Sequence, residues 1–378
     1  MTVEASAVTL MRMEPLLHEM VDRGASDLHI ASGQPPMLRV DGVLVAASDG
    51  RRLDSGCARR LAASLLTPEQ KQRFEAQGEL DFAFTVEGLA RFRGNCFRQR
   101  GSVALAVRHI PLGVASLEEL GLPPILSRMA ERPRGLVLVT GPTGAGKSTT
   151  LAAMVDQING RRRGHILTIE DPIEFVHPDR RCIVRQREVG VDTCSFSAAL
   201  KYAMRQDPDV ILIGEMRDAE TMAAALGIAE TGHLVLSTLH TNSAADSVHR
   251  VIDSFESHRQ GQVRSQLAAV LEGVLTQILI PRAGGRGRVA AAEVLVCTAA
   301  IRAVIRDDKV HQIGSLMQAG RRHGMQTLND ALTRLYLNGE VTLEAVLRRS
   351  PEPAELLRAV GEPVPEGLGH LVPGRRRL

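Results

Sequence analysis

The chain has no tryptophan, and aromatic residues make up only 3% of it. That scarcity argues against the stacking platforms on which single-stranded nucleic acids are held. Its five cysteines, Cys57, Cys96, Cys182, Cys194 and Cys297, are widely spaced and form no C-x-x-C pair. A zinc ribbon is thereby disfavoured, and an odd number of scattered thiols points to a reducing compartment, the cytosol. No stretch of 18 residues is uninterruptedly apolar, so no membrane-spanning helix is expected. The first residues lack the basic start and apolar run of a signal peptide. Excess charge is lacking too: 46 Lys and Arg against 43 Asp and Glu leave +3, too little to argue for a nucleic-acid partner. What remains is a chain of 378 residues, 44% hydrophobic and 24% charged. Those values suit about two globular domains, each able to bury a core.

The pattern along the chain is α/β throughout, in two different styles. Leu10, Met13, Leu17 and Met20 recur at helical spacing, and Gly24 follows as a C-terminal cap. Short strands are expected at 27–30 and 37–40. Asp41-Gly42 before Val43-Leu-Val45 predicts a hairpin. A helix over 57–75 and strands at 81–85, 90–98 and 103–110 complete an N-terminal domain, 1–111, around a small and largely antiparallel sheet. Residues 112–133, with Pro123, Pro124 and Pro133, read as a linker. Apolar runs then follow at 136–140, 166–170, 210–213 and 234–239. They lack alternation, as strands of a parallel sheet covered on both faces do. Val289–Val296 offers a further strand, helical patterns fill 299–350, and the second domain extends over 134–360. The tail, 361–378, is rich in Pro and Gly, ends in Arg375-Arg-Arg377, and reads as disordered.

Gly141-Pro-Thr143-Gly144-Ala145-Gly146-Lys147-Ser148-Thr149 sits between the strand Leu136–Val139 and a helical stretch. Strand, Gly-rich loop and helix in that order make a phosphate cradle. Glycines let backbone N–H groups turn inward, the helix N-terminus adds positive potential, Lys147 reaches the outer phosphates, and Ser148 ligates Mg²⁺. ATP and Mg²⁺ are therefore the expected ligands. Hydrolysis also needs carboxylates beside the γ-phosphate. Two strand ends supply them: Glu170 after Ile166–Ile169, and Glu215 after Val210–Gly214. In a parallel sheet these ends converge on the edge where the cradle lies. Asp171 before Pro172 has the ordinary explanation of a helix N-cap. Gly214 stands where many such ATPases carry a metal-binding Asp. That leaves the metal to Ser148, the nucleotide and water, Glu215 to outer contact with it, and Glu170 to polarise the attacking water.

His233 and His240 bracket the strand 234–239. The latter falls at its C-terminal end, beside the cradle, where it can sense the γ-phosphate; the former is expected to be a structural hydrogen-bonder or subunit contact. Arg91, Arg93, Arg98, Arg100 and Arg108 cluster on the last two strands of the first domain. Surface charge is the default explanation. A ring of subunits would allow some of them to stabilise a neighbour's nucleotide.

Seven stretches together carry a family resemblance: Ala25-Ser-Asp-Leu-His29, Arg91-Phe-Arg93, Gly141 to Ala152, Thr168-Ile-Glu-Asp-Pro-Ile-Glu-Phe-Val-His177, Gln186-Arg-Glu-Val189, Ile213-Gly-Glu-Met-Arg-Asp218 and Ala229-Glu-Thr-Gly-His233 through His240. They resemble the PilT-type ATPases that power retraction of bacterial type IV pili. The resemblance runs from about residue 10 to about 350 and includes Ala300-Ile301-Arg302 and Gly324-Met-Gln-Thr-Leu328. It implies a PAS-like N-terminal domain, a RecA-like ATPase domain with helices at its C-terminal end, and assembly as a hexameric ring. By position, Lys147, Ser148 and Thr149 match the Walker A residues. Glu170 matches the carboxylate of an acidic box, Glu215 that of Walker B, and His233 and His240 a histidine box. Arg93 and Arg108 match arginines that face the phosphates.

The function so implied is a cytoplasmic ATPase motor for pilus retraction and twitching motility. Its partners would be copies of itself, a platform protein of the inner membrane and a paralogous pilus ATPase. Relatives that drive pilus assembly or type II secretion have a longer N-terminal region and a tetracysteine zinc module, which this chain lacks. Gly190-Val-Asp192 and the C-terminal extension resemble the accessory retraction paralogue PilU, which stays open as an alternative. A nucleic-acid translocase is a more distant one.

Overall fold

A computed structural model describes residues 11–365 apart from 41, 111, 112 and 286. The chain divides into two compact units, Met1–Gly113 and Val114–Leu378. Leu10, Asp41 of the expected hairpin turn and the tail from residue 366 onward lie outside the described residues.

The first unit runs α1 (Met13–Asp22), β1 (Asp27–Ile30), β2 (Met37–Val40), β3 (Val43–Ala46), α2 (Ser55–Ala63), α3 (Pro68–Gln77), β4 (Glu79–Val86), β5 (Ala90–Gln99) and β6 (Ser102–Ile110). Its six strands form one antiparallel sheet in the order β3-β2-β1-β6-β5-β4. α1 closes as its pattern predicts, with Gly24 in the left-handed region at φ 61° and its N–H donated to the Val21 carbonyl. The single helix expected over 57–75 is instead two, α2 and α3. Thr67 accepts from the Gln70 N–H while Gln70 caps the Thr67 N–H in return, and Pro68 follows at the first helical position. This reciprocal cap starts a new helix where helical periodicity alone sees continuation. Alternation decides which face of the sheet is covered: Leu28, Leu80, Phe82, Phe92, Cys96, Leu105 and Val107 point into a core shared with the helices. Gly94 leaves room for the Phe82 ring; a Cβ there would lie 2.4 Å from Phe82 Cζ.

The second unit opens with α4 (Ile125–Ala130), then alternates β7 (Gly135–Thr140), α5 (Lys147–Arg161), β8 (Gly164–Glu170), β9 (Cys182–Glu188), α6 (Phe196–Ala203), β10 (Val210–Ile213), α7 (Ala219–Glu230), β11 (Leu234–Leu239), α8 (Ala244–Asp253), α9 (Ser257–Val270), β12 (Leu271–Pro281) and β13 (Arg288–Val296). Five helices follow: α10 (Ala299–Arg306), α11 (Ile313–Ala319), α12 (Leu328–Leu337), α13 (Leu343–Leu347) and α14 (Pro353–Val360). The sheet order is β13-β12-β7-β11-β10-β8-β9, parallel except for the β12–β13 pair. Both faces are buried. Leu136, Leu138, Leu167, Ile169, Ile211 and Ile213 pack with α6–α10 on one side. Val137, Val139, Ile166, Val210, Leu212 and Leu236 pack with α4 and α5 on the other. Proline-rich residues 114–133 do not behave as a free linker, since Leu117, Leu122, Ile125, Leu126 and Met129 join that second layer. The strands β9 and β12 were not expected from the sequence. β9 alternates with Arg185 and Arg187, and β12 continues directly from α9 with Leu271 capping that helix in extended conformation.

Candidate active site at the C-terminal edge of the parallel sheet

The register brings the decisive residues to one edge. β7 ends at Thr140 opposite Leu239 of β11. Ile213 of β10 lies opposite both Ser237 of β11 and Ile169 of β8. Gly141, Glu170, Glu215 and His240 thus leave neighbouring strand ends on the same side, as parallel topology requires.

Residues 141–146 turn from β7 into α5. Gly141, Gly144 and Gly146 all have positive φ, at 137°, 78° and 85°, which side-chain-bearing residues rarely adopt. Nothing lies within 4 Å of a Cβ built on Gly144, and Thr143 beside it is exposed, whereas Ala145 is buried. α5 begins behind Gly146 without a capping side chain. Its first N–H groups and the positive end of its dipole are thereby available to an anion. The Lys147 ammonium, largely buried, donates to the carbonyls of Gly141 at 3.0 Å and Pro142 at 3.1 Å. Burial pulls its pKa below the ordinary lysine value, and the charges of Glu215 and Glu174 oppose that fall. Ser148 is exposed and Thr149 half-buried on the first turn of α5. This cradle fits a polyphosphate. Among the described residues no cluster of three or more His, Cys, Asp or Glu could hold a metal. The Ser148 hydroxyl, on the first turn of α5, is the group that would meet a Mg²⁺ ion carried in with the phosphates, the arrangement suited to an ion that retains water ligands.

The two carboxylates differ. Glu170, at the tip of β8, accepts at Oε1 from Thr168 Oγ1 at 2.6 Å and from Gln186 Nε2 at 3.2 Å. Burial pushes its carboxyl up to about 7, against the opposing pull of those two hydrogen bonds and of the Glu174 backbone. A carboxyl that titrates near neutrality is suited to exchange a proton with water. Glu215 instead lies between two basic side chains. Arg217 Nη2 lies 2.9 Å from one oxygen and His240 Nε2 3.3 Å from the other. The Arg217 guanidinium is raised further by this bond to Glu215. Asp171 does not cap a helix: residues 171–181 form an irregular loop, and the Asp171-Pro172 bond is cis. Gln186 of β9 fastens that loop, since it donates to the Phe175 carbonyl at 2.8 Å and accepts from the His177 N–H at 2.9 Å. A Cβ on Gly214 would meet Glu170 Cα at 3.3 Å, so an Asp in that place would crowd the Glu170 backbone. His233 is tied to the end of α7 by contacts of its Nδ1 with the Ile228 carbonyl and Thr231, both 3.2 Å.

In the first unit, Arg93 of β5 and Arg108 of β6 face each other in register. Arg108 donates to Asp27 Oδ1 at 2.9 Å and is 68% exposed. Arg93 is half-buried. Composition and motif spacing missed the supporting roles of Thr168, Gln186 and Arg217. The signal available was position: each lies within three residues of a carboxylate or on a strand next to it.

A parallel sheet buried on both faces, a glycine cradle at its C-terminal edge and acidic residues on the adjoining strand ends define a P-loop nucleoside triphosphatase. The profile of the family described as type II/IV secretion system protein matches residues 3–348. The type IV pilus retraction ATPase PilT of Pseudomonas aeruginosa is 49% identical over 348 residues, 91% of this chain and 99% of that protein. The type IV pilus ATPase PilU of the same organism is 43% identical, over 92% of this chain and 90% of its own length. The crystal structure of the pilus retraction motor PilT with bound ADP superposes with a TM-score of 0.87 at 48% identity, covering 92% of this chain and 99% of that one. The chain therefore belongs to the type II/IV secretion family and, within it, to the PilT-type retraction ATPases. Among the described residues no helix is long and apolar enough to cross a membrane.

Proposed function

We propose that this chain hydrolyses ATP as a homo-hexameric motor and uses the energy to retract type IV pili. The observation that carries the chemistry is the pairing, on one sheet edge, of a phosphate cradle around Lys147 with a carboxyl, Glu170, poised to titrate at about 7. The backbone amides of Gly144, Gly146, Lys147, Ser148 and Thr149 would grip the phosphates, with Gly141, Thr143 and Ala145 shaping the loop. Lys147 would leave the loop carbonyls for the outer phosphates, and Ser148 would hold Mg²⁺, which when bound offsets phosphate charge. Ionised Glu170 takes the proton of the attacking water. Glu215 and His240, bonded to each other, read the γ-phosphate end: loss of that group changes the field at a Glu215 carboxylate already shared with Arg217. In a ring of subunits, Arg93 and Arg108 would lend positive charge to a neighbour's nucleotide.

The higher identity to PilT than to PilU favours the main retraction motor over the accessory one. As a motor of this kind it works in the cytoplasm against an inner-membrane platform protein, alongside a paralogous ATPase, without binding nucleic acid. Deleting the gene and restoring it with or without Lys147→Ala tests the assignment. Excess surface pili with loss of twitching, rescued only by the wild type, is the expected result. Bald cells would indicate an assembly ATPase, and a purified enzyme stimulated by DNA would indicate a translocase.

A further inference from the structure

The phosphate loop does not stand on its own glycines alone; it is braced from the strand on its far side. Gln277 sits in the middle of β12, only 1% exposed. Its Nε2 donates to the Ala145 carbonyl at 2.5 Å, and its Oε1 accepts from Thr150 Oγ1 at 2.8 Å. One side-chain amide thus spans the loop and the first turn of α5. The two bonds also settle its orientation, because a carbonyl can only accept and the amide nitrogen must face it. The approach is close: a Cβ on Gly141 would lie 2.2 Å from the Gln277 carbonyl oxygen, and one on Gly146 would lie 3.1 Å from Nε2. β12 therefore excludes a side chain at Gly141 and crowds one at Gly146, and both positions also have positive φ.

In a trans peptide unit the C=O and the following N–H point in opposite directions. Fixing the Ala145 carbonyl on Gln277 fixes the Gly146 N–H on the opposite side, away from β12. Without the brace that peptide unit is free to rotate, since Gly146 tolerates several conformations. We infer that Gln277 is a positioning residue for nucleotide binding: its amide holds the Ala145–Gly146 peptide so that the Gly146 N–H faces the phosphates. Lys147 comes directly after that peptide, so the same brace sets where α5 and its ammonium begin. β12 is one of the two strands that sequence patterning missed, and no motif of the loop itself announces the contact.

The inference rests on the ATPase reading, and the test separates the two. The purified full-length chain is titrated with a fluorescent ADP analogue, and steady-state ATP hydrolysis is measured alongside thermal unfolding. Gln277→Met keeps the volume and removes both hydrogen bonds. It is expected to weaken analogue binding by about tenfold or more and to raise KM by a similar factor, with kcat at saturation changed less than about threefold, since the lost amide contact is made by bound substrate and transition state alike. Thr276→Val serves as the control for loss of a buried hydrogen bond on the same strand, because Thr276 bonds Thr140 at 2.8 Å. It is expected to lower the unfolding temperature and leave the dissociation constant unchanged. Thr150→Val, which takes away only the bond at Oε1, is expected to weaken binding about threefold and provides the answer if Gln277→Met does not fold. Wild-type affinity in a folded Gln277→Met protein, or in Thr150→Val where that variant alone folds, overturns the inference. Equal loss of affinity in Thr276→Val also overturns it, because the effect is then general loosening of the strand. A folded wild-type protein that binds no analogue would refute the ATPase reading instead.

Discussion

Lowering the pH from 8 to 6 should cut kcat/KM for ATP about tenfold, through Glu170 alone. Its carboxyl is pushed up to about 7 by burial at the tip of β8, with the hydrogen bonds from Thr168 and Gln186 pulling the other way. A base with that pKa is about nine-tenths ionised at pH 8 and about one-tenth at pH 6. An ordinary glutamate would remain ionised throughout. The assay is phosphate release across pH 5.5–8.5 with saturating Mg²⁺, repeated for two variants. Glu170→Gln should be slower by about 10²- to 10⁴-fold and should lose the acid limb. Thr168→Val removes a donor that favours the ionised form and should move the limb to higher pH. Stability follows the same carboxyl with the opposite appearance. Its folded pKa lies above the unfolded value of 4.5, so the folded state binds more protons between those two values. Stability is then full below about 4.5 and declines as pH rises to about 7, by roughly 3 kcal/mol from this group. Glu170→Gln should therefore be more stable than wild type at pH 8 and no more stable at pH 4. A flat wild-type profile from pH 6 to 8, or a limb that persists unchanged in Glu170→Gln, would show that Glu170 is not the base.

Glu215→Ala should lower turnover by at least about 100-fold while nucleotide binding and ring assembly, followed by light scattering, stay intact; normal turnover would remove Glu215 from the site. His240→Gln keeps a polar side chain but removes the imidazole that lies 3.3 Å from Glu215. It should reduce ATP turnover with little change in ADP affinity, and a matched change in both would argue against γ-phosphate sensing. In the first unit, Gly94→Ala should destabilise by about 1–3 kcal/mol in denaturant titrations, because the new Cβ would lie 2.4 Å from Phe82 Cζ; an unchanged midpoint would mean that the Phe82 ring moves aside freely.

Most of the second unit was legible because its strands are continuous apolar runs buried on both faces, and because the loop Gly141–Ser148 marks where β7 becomes α5. The exceptions have physical causes. β9 pairs only with β8, at the edge of the sheet, and carries Arg185 and Arg187, so its sequence reads as a loop. β12 follows α9 without a break, and its Glu272, Thr276 and Gln277 interrupt the apolar run. Helical spacing could not reveal the division between α2 and α3, which depends on the reciprocal bonds of Thr67 and Gln70. At the site, Lys147, Ser148, Glu170 and Glu215 could be named from motif and strand position. The difference between the two carboxylates could not, since it arises from tertiary packing: burial at the tip of β8 for Glu170, and the approach of His240, distant in sequence, to Glu215.

Phosphate release from ATP by the purified chain, compared with Lys147→Ala, tests most directly whether the cradle performs hydrolysis. The wild type should turn over in the presence of Mg²⁺, and Lys147→Ala should fall to background while keeping its fold by circular dichroism. A folded wild-type protein that binds ATP without cleaving it, or a Lys147→Ala variant as active as the wild type, would contradict the account.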